Sequence, residues 1–208
     1  ADQFYKSNNY GKSTNLLGNL FAEVTFLKNF RFRSNFGYNI NENSSRFFDL
    51  KFQVSASQLN KADRLSIAKG ESKDWVWEQT LNYYKEWKDQ TLGVLVGFTA
   101  EERESEFFGA GRESFPGTAD ELIYLSSGND TTQTNYGGAS DEAMVSLIFR
   151  TNYSLQNKYL FTASLRVDKS SRFTPDNRTG YFPSASIGWN LGNEDFIQKL
   201  NTFDRLKF

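Results

Sequence analysis

The strictest constraint on this chain is a two-residue rhythm of apolar and polar side chains that runs in paired segments. Between residues 16 and 40, Leu20, Ala22, Val24 and Phe26 hold even positions, and Phe30, Phe32, Phe36, Tyr38 and Ile40 continue on even positions. Asn19, Glu23, Thr25, Arg31, Arg33, Asn35 and Asn39 lie between them. Period two is the signature of a strand with one apolar and one polar face, because successive side chains leave a strand on opposite sides. Parity also sets the link between the two segments. Phe26 and Phe30 share a face only if Leu27-Lys28-Asn29 closes a tight three-residue hairpin, since a slip of one residue reverses every side chain.

The rhythm recurs twice. Trp75, Trp77, Leu81, Tyr83 and Trp87 are odd, opposed by Glu78, Thr80, Asn82 and Glu86, whereas Leu92, Val94, Val96 and Phe98 are even. That switch requires an even-numbered turn, placed at Lys88 to Thr91. Val145, Leu147, Phe149, Thr151, Tyr153 and Leu155 then share a face, continued after Gln156-Asn157-Lys158 by Tyr159, Phe161, Ala163, Leu165 and Val167. Tyr181, Pro183, Ala185, Ile187, Trp189 and Leu191 make one more strand, although Pro183 counts against it by removing a ladder donor. Between these hairpins the sequence predicts long polar connections at about 41–74, 101–142 and 169–179. "FFDLKFQVSA" at 47–56 is a candidate extra strand, and "DELIYL" at 120–125 a short strand or helix. Gly109-Ala110-Gly111 reads as loop flexibility, since no strand-to-helix context makes it a phosphate cradle.

Composition narrows the chemistry. The 208 residues contain no Cys and no His, which removes thiol redox pairs, disulfides, Cys-based zinc sites and Ser-His or Cys-His catalysis. Net charge is −1, with 24 basic and 25 acidic residues, so there is no footprint for nucleic acid. Asp120, Glu121, Asp130, Asp141 and Glu142 lack the spacing of a calcium loop and read as a solvated acidic loop. No cofactor, metal or enzymatic activity is expected. Aromatic residues make up 16% of the chain against 3 Pro and 1 Met, which favours β structure. No apolar run reaches the ~20 residues of a membrane helix, but barrel strands need apolar residues on one face only.

Two architectures accept strands of roughly 10 to 12 residues with one apolar face. In a soluble sandwich that face meets a second sheet and strands average about 5 to 6 residues. In an outer-membrane barrel it meets lipid, strands run about 9 to 11 residues, and short turns at one end alternate with long loops at the other. Strand length and loop asymmetry favour the barrel; a carbohydrate-binding sandwich is the alternative. The fold class is thus all-β, an antiparallel meander of long amphipathic strands forming part of a transmembrane β-barrel. Arg31, Arg33, Arg150, Asn152 and Arg166 on the polar rows are the candidate lumen-facing ligand-binding residues. Tyr159, Trp87, Trp75, Tyr181 and Trp189 suit the half-wet aromatic girdles of a barrel.

Residues 149–208 carry a resemblance. "FRTNYSLQNKYLFTASLRVDKSSRF", "GYFPSASIGWNLGNEDF" and the closing "LKF" resemble the barrel of the SusC/RagA-type TonB-dependent outer-membrane transporters of Bacteroidetes-type bacteria. The matching positions are Arg150, Asn152, Tyr153, Lys158, Tyr159, Arg166, Asp168, Ser170 to Phe173, Gly180 to Ser184, Trp189, Glu194 and Phe196. Lys169 departs from the pattern, which usually has Gly there, and this puts the turn geometry in question. The resemblance implies TonB-dependent import of oligosaccharides or peptides across the cell outer membrane. It also implies a SusD-like surface lipoprotein as lid, lipid around the wall, and energy from the TonB complex through a plug domain. Such a barrel has about 22 strands against the roughly seven or eight counted here. Residues 1–208 therefore read as an internal piece of a barrel, with neither plug domain, TonB box nor signal peptide.

Overall fold

The computed structural model describes residues 9–55, 57–199 and 206–208. Among these residues nine strands follow in chain order: β1 (Tyr10–Phe26), β2 (Phe30–Asp49), β3 (Phe52–Gln53), β4 (Leu59–Asn60), β5 (Arg64–Trp87), β6 (Gln90–Glu113), β7 (Thr134–Leu155), β8 (Tyr159–Ser170) and β9 (Thr179–Trp189). Seven of them form one sheet in the order β1-β2-β5-β6-β7-β8-β9, and β3 pairs with β4 separately. The sheet is an antiparallel meander, the arrangement that short hairpins produce. A sandwich would need a second large sheet facing the first. Among the described residues the other sheet is only the two-residue β3–β4 pair, so the sandwich alternative is set aside.

The tight turns match parity. Leu27-Lys28-Asn29 and Gln156-Asn157-Lys158 are three-residue links, each opening with two residues in the left-handed region: φ is 48° at Leu27, 61° at Lys28, 54° at Gln156 and 52° at Asn157. Such a turn carries a twist that suits the flanking strands. The middle turn is even-numbered but shorter than expected, with Lys88 and Asp89 alone between β5 and β6.

The connections are shorter and the strands longer than the alternation predicts. β2 runs to Asp49 and β5 starts at Arg64, so the first connection is 50–63 rather than 41–74. β6 runs to Glu113 and β7 starts at Thr134, which reduces the second to 114–133, and the third is 171–178. β5 and β6 reach 24 residues each against an expected 10 to 12. Backbone hydrogen bonds to neighbouring strands hold these segments extended even where neither face is uniformly apolar, so the pairing outlasts the pattern that announces it. Gly109-Ala110-Gly111 accordingly lies inside β6 and not in a loop. Of 47–56, Phe47–Asp49 ends β2 and Phe52–Gln53 forms β3, while 120–122 and 125–127 are single 3-10 turns.

The chain forms two compact units. The first comprises Ala1–Leu17, Asn39–Asp74 and Arg103–Asp141, the second Gly18–Tyr38, Trp75–Glu102 and Glu142–Phe208. The first unit holds the buried apolar core: Phe48, Leu65, Phe115 and Ile123, with Leu50, Ile67 and Leu125 packed on it. The Phe48 and Phe115 rings meet edge to face at 5.4 Å. Buried Asp63 accepts the Phe115 N–H on Oδ2 at 3.0 Å, and its carbonyl accepts the Ser114 N–H at 3.0 Å. The connection 114–133 is pinned further by Arg46, which donates to the Ile123 carbonyl at 3.2 Å, and by Arg112, 2.6 Å from Asp130. This long loop is built, not slack, because its Phe115 and Ile123 side chains have a place to bury.

The second unit lays its apolar row in the open. Registers across β7, β8 and β9 align Leu147 with Val167 and Tyr181, Phe149 with Leu165 and Pro183, Thr151 with Ala163 and Ala185, Tyr153 with Phe161 and Ile187, and Leu155 with Tyr159 and Trp189. The rows expected from alternation are therefore one continuous face three strands wide. Most of its large side chains are exposed, up to 79% for Ile187, while Tyr153, Leu155 and Val167 are half-buried.

Pro183 is accommodated by direction. The Asn190 N–H donates to the Lys158 carbonyl, while the Trp189 N–H donates to the Phe208 carbonyl on the opposite side of β9. Even-numbered amides of this strand thus point toward β8 and odd-numbered ones away from it. The donor that Pro183 lacks belongs to the side away from β8, so the β8–β9 ladder loses nothing. Lys169 is equally regular: it lies within β8, between Val145 and Thr179, outside the left-handed region.

Candidate functional site

The reverse of the apolar face is polar. Across β7, β8 and β9 it aligns Ser146 with Asp168 and Gly180, Ile148 with Arg166 and Phe182, Arg150 with Ser164 and Ser184, and Asn152 with Thr162 and Ser186. Arg150, Asn152 and Arg166 are brought together here. The Asn152 Oδ1 accepts the Thr162 hydroxyl at 3.0 Å. Arg166 donates from Nε to both oxygens of Asp168, at 2.7 and 2.9 Å, and reaches the Ser146 hydroxyl at 3.5 Å. Arg150 makes no ion pair among the described residues, which leaves an exposed guanidinium beside Ser164.

Arg31 and Arg33 form a separate group. Arg31 lies 3.7 Å from Glu23, with both side chains wet, a contact worth about 0–1 kcal/mol. The Arg33 guanidinium lies 4.5 Å from the centroid of the Phe21 ring, a cation–π contact worth roughly 0.5–1 kcal/mol. Because β5 and β6 lie between β2 and β7 in the sheet, the two arginine groups do not converge. This is a distributed surface of donors and acceptors and not an acid–base pair.

Sequence reasoning missed a second polar chain, in the first unit. Asn15 donates to Asn39 Oδ1 at 3.1 Å, Asn39 donates to Asp74 Oδ2 at 3.2 Å, and Arg103 Nε donates to Asp74 Oδ1 at 2.6 Å. Four strands, β1, β2, β5 and β6, contribute one link each. The period-two parity of Asn39 and Asp74 continues the polar rows of β2 and β5, which was the available signal.

The tight-turn end of β8 and β9 holds a third group. Glu194 lies 2.9 Å from Lys158 Nζ and accepts the Tyr159 hydroxyl at 3.0 Å and the Trp189 indole N–H at 3.1 Å. The Tyr159 and Trp189 rings stack 6.4 Å apart at 20°. Hydrogen bonding from Lys158 and then from Trp189 holds the Glu194 carboxyl below its ordinary value, and the same contact raises Lys158. Each ring therefore offers an apolar body and a tethered polar tip, the form an interfacial girdle residue takes. Asn190 and Asn193 donate to the Asn157 carbonyl at 3.2 and 2.9 Å, which fastens residues 190–194 to the turn.

No family model matches the chain. TonB-dependent receptor P3 of Formosa agariphila is 27% identical over 199 residues, which cover 95% of this chain and 19% of that receptor. TonB-dependent receptor SusC of Bacteroides thetaiotaomicron is 48% identical over 75 residues, 36% of this chain and 7% of SusC. Among solved structures, the RagAB peptide transporter superposes with a TM-score of 0.81 at 21% identity, covering 91% of this chain and 21% of that chain. The RagAB peptide importer in its open-open state gives 0.80 at 23%, covering 98% and 22%. At such identity the structures establish the fold, a section of a barrel. The chain spans about a fifth of the length of the receptors matched over nearly its whole length.

Proposed function

We propose, from the premise that this chain is a stretch of barrel related to the SusC/RagA-type TonB-dependent receptors, that it forms part of an outer-membrane wall through which large nutrients are imported. The observation that carries the reading is the exposed apolar face of β7–β9. From Leu147 to Leu155 it is about nine residues long, the length a tilted strand needs to cross a bilayer core. In water such a face is a liability, whereas against acyl chains it is the required surface. Tyr159 and Trp189 mark one border of the band and Tyr181 the other.

In this reading residues 1–208 are one portion of the wall, and the polar rows line a wet lumen. Arg31, Arg33, Arg150, Asn152 and Arg166 then serve as ligand contacts along the passage. Oligosaccharides and peptides both fit a surface of dispersed hydrogen-bonding groups. A SusD-like surface lipoprotein closes the outer mouth, and the TonB complex acts through a plug domain elsewhere in the receptor. The chain works as wall and binding surface, not as an enzyme.

The test is fractionation of cells carrying the full-length receptor, followed by solute uptake with and without an intact TonB complex. Recovery in the outer membrane with uptake that stops when TonB is deleted supports the reading. Recovery in the soluble fraction would falsify it.

A further inference from the structure

Two exposed aromatic rings in the first unit lie close against glycines. Phe107 of β6 is 51% exposed and Tyr136 of β7 is 61% exposed. A Cβ added at Gly138 would meet the Phe107 ring at 3.1 Å, and one added at Gly109 would fall within 2.7 Å of Tyr136 Cε1. On the far side, Gly70 of β5 packs under Phe107, whose Cβ would be 3.6 Å from a side chain there. Three neighbouring strands thus omit side chains where the rings rest. A side chain at Gly109 or Gly138 would crowd a ring, whereas one at Gly70 would meet Phe107 at ordinary contact, so glycine at the first two sets the close approach of the rings to the sheet.

The rings share a face with a chain of polar groups. Phe107 shares its parity on β6 with Arg103, and Gly70 shares its parity on β5 with Asp74, the pair bonded at 2.6 Å in the Asn15–Asn39–Asp74–Arg103 chain. Four residues of strand separate the Arg103 and Phe107 positions, about 13 Å at ~3.3 Å per residue. Open π faces therefore lie within one short ligand's length of a carboxylate, a guanidinium and two carboxamides.

We propose that Phe107 and Tyr136 form a stacking platform for a pyranose ring of an oligosaccharide, with Asp74, Arg103 and Asn39 meeting hydroxyls of neighbouring sugars; the proposal rests on the import reading above. A pyranose presents a patch of C–H groups on one face and hydroxyls around its rim. An exposed ring held close to the sheet by glycine matches the first, and the polar chain matches the second. A peptide is served less well. Strand addition needs a free sheet edge, and β5, β6 and β7 are each paired on both sides.

The experiment uses the full-length receptor purified in detergent, titrated by calorimetry with α-1,4- and β-1,4-linked glucose hexasaccharides and with an alanine hexapeptide. Binding of a hexasaccharide is expected to weaken about three- to tenfold in Phe107→Leu and in Tyr136→Leu, and about tenfold or more in the double variant. Phe107→Tyr and Tyr136→Phe, which keep an aromatic ring, are expected to bind within about twofold of the parent. Heat-modifiable gel mobility identifies variants with an intact barrel. Failure of the parent to bind either hexasaccharide, or a double variant with intact barrel that binds like the parent, overturns the platform. Binding of the peptide in place of the sugars overturns it too while leaving the import reading standing. Absence of the receptor from the outer membrane removes both.

Discussion

Lys158 Nζ sits 2.9 Å from Glu194 Oε2, joining the turn before β8 to the segment after β9. Both side chains lie outside the apolar band, and their titration gives the contact a pH window. Glu194 is held below its ordinary 4.5, so its contribution is complete above that value and fades as pH falls through the lowered folded value. Lys158 is raised above 10.5, so its contribution is complete below that value and fades as pH rises through the raised one. Amide exchange of residues 189–194, corrected for intrinsic rates, is therefore expected to be slowest and flat across neutral pH and to quicken toward acid. Glu194→Gln should raise exchange there at neutral pH and flatten the acid response; an unchanged profile would mean the contact is idle.

The two faces of β8 make opposite predictions from adjacent residues. Ala163 lies midway along the apolar band, between Thr151 and Ala185, and Ser164 lies behind it between Arg150 and Ser184. With lipid on the apolar side, Ala163→Arg costs about 2–4 kcal/mol, the penalty for a guanidinium near the bilayer midplane. Ser164→Arg enters the wet face and should cost well under about 1 kcal/mol, apart from repulsion by Arg150. Urea unfolding of the full-length receptor in lipid vesicles separates the cases. Equal penalties would contradict the assignment of faces.

Leu65 is fully buried in the small core that anchors the connection 114–133. Truncation to Ala removes contact with this cluster and costs about 2–5 kcal/mol of local stability. Because Phe115 and Ile123 belong to the same cluster, the connection should loosen with it. Limited proteolysis is expected to cut Leu65→Ala within 114–133 much faster than the parent, while cleavage elsewhere stays unchanged.

What was legible in the sequence follows from where periodicity survives. The turns at Leu27–Asn29 and Gln156–Lys158 can be read from parity alone, since Phe26 with Phe30 and Leu155 with Tyr159 must share a face. The band from Leu147 to Trp189 is equally plain, because one face is apolar apart from Thr151. Beyond such bands both faces are mixed, as around Phe107, Phe108 and Gly109, and the alternation that marks a strand disappears although the strand continues. Arg31 and Arg150 illustrate a second limit. Parity assigns each to a polar row, but only strand order reveals that β5 and β6 keep them apart.

The final prediction concerns a turn whose residue type conflicts with its conformation. Leu27 has φ 48°, a left-handed value that crowds a Cβ against the backbone, and its side chain is largely exposed. No packing is therefore lost on removing it. Leu27→Gly is expected to stabilise the β1–β2 hairpin by about 0.5–1 kcal/mol, the relief of strain exceeding the added entropy of the unfolded chain. Leu27→Val places a branched Cβ in the same conformation and should destabilise by a similar amount or more. Denaturant midpoints of the three proteins in the same vesicles give the order directly. A Gly variant weaker than the parent would mean that Leu27 makes an apolar contact in the membrane worth more than the strain it carries.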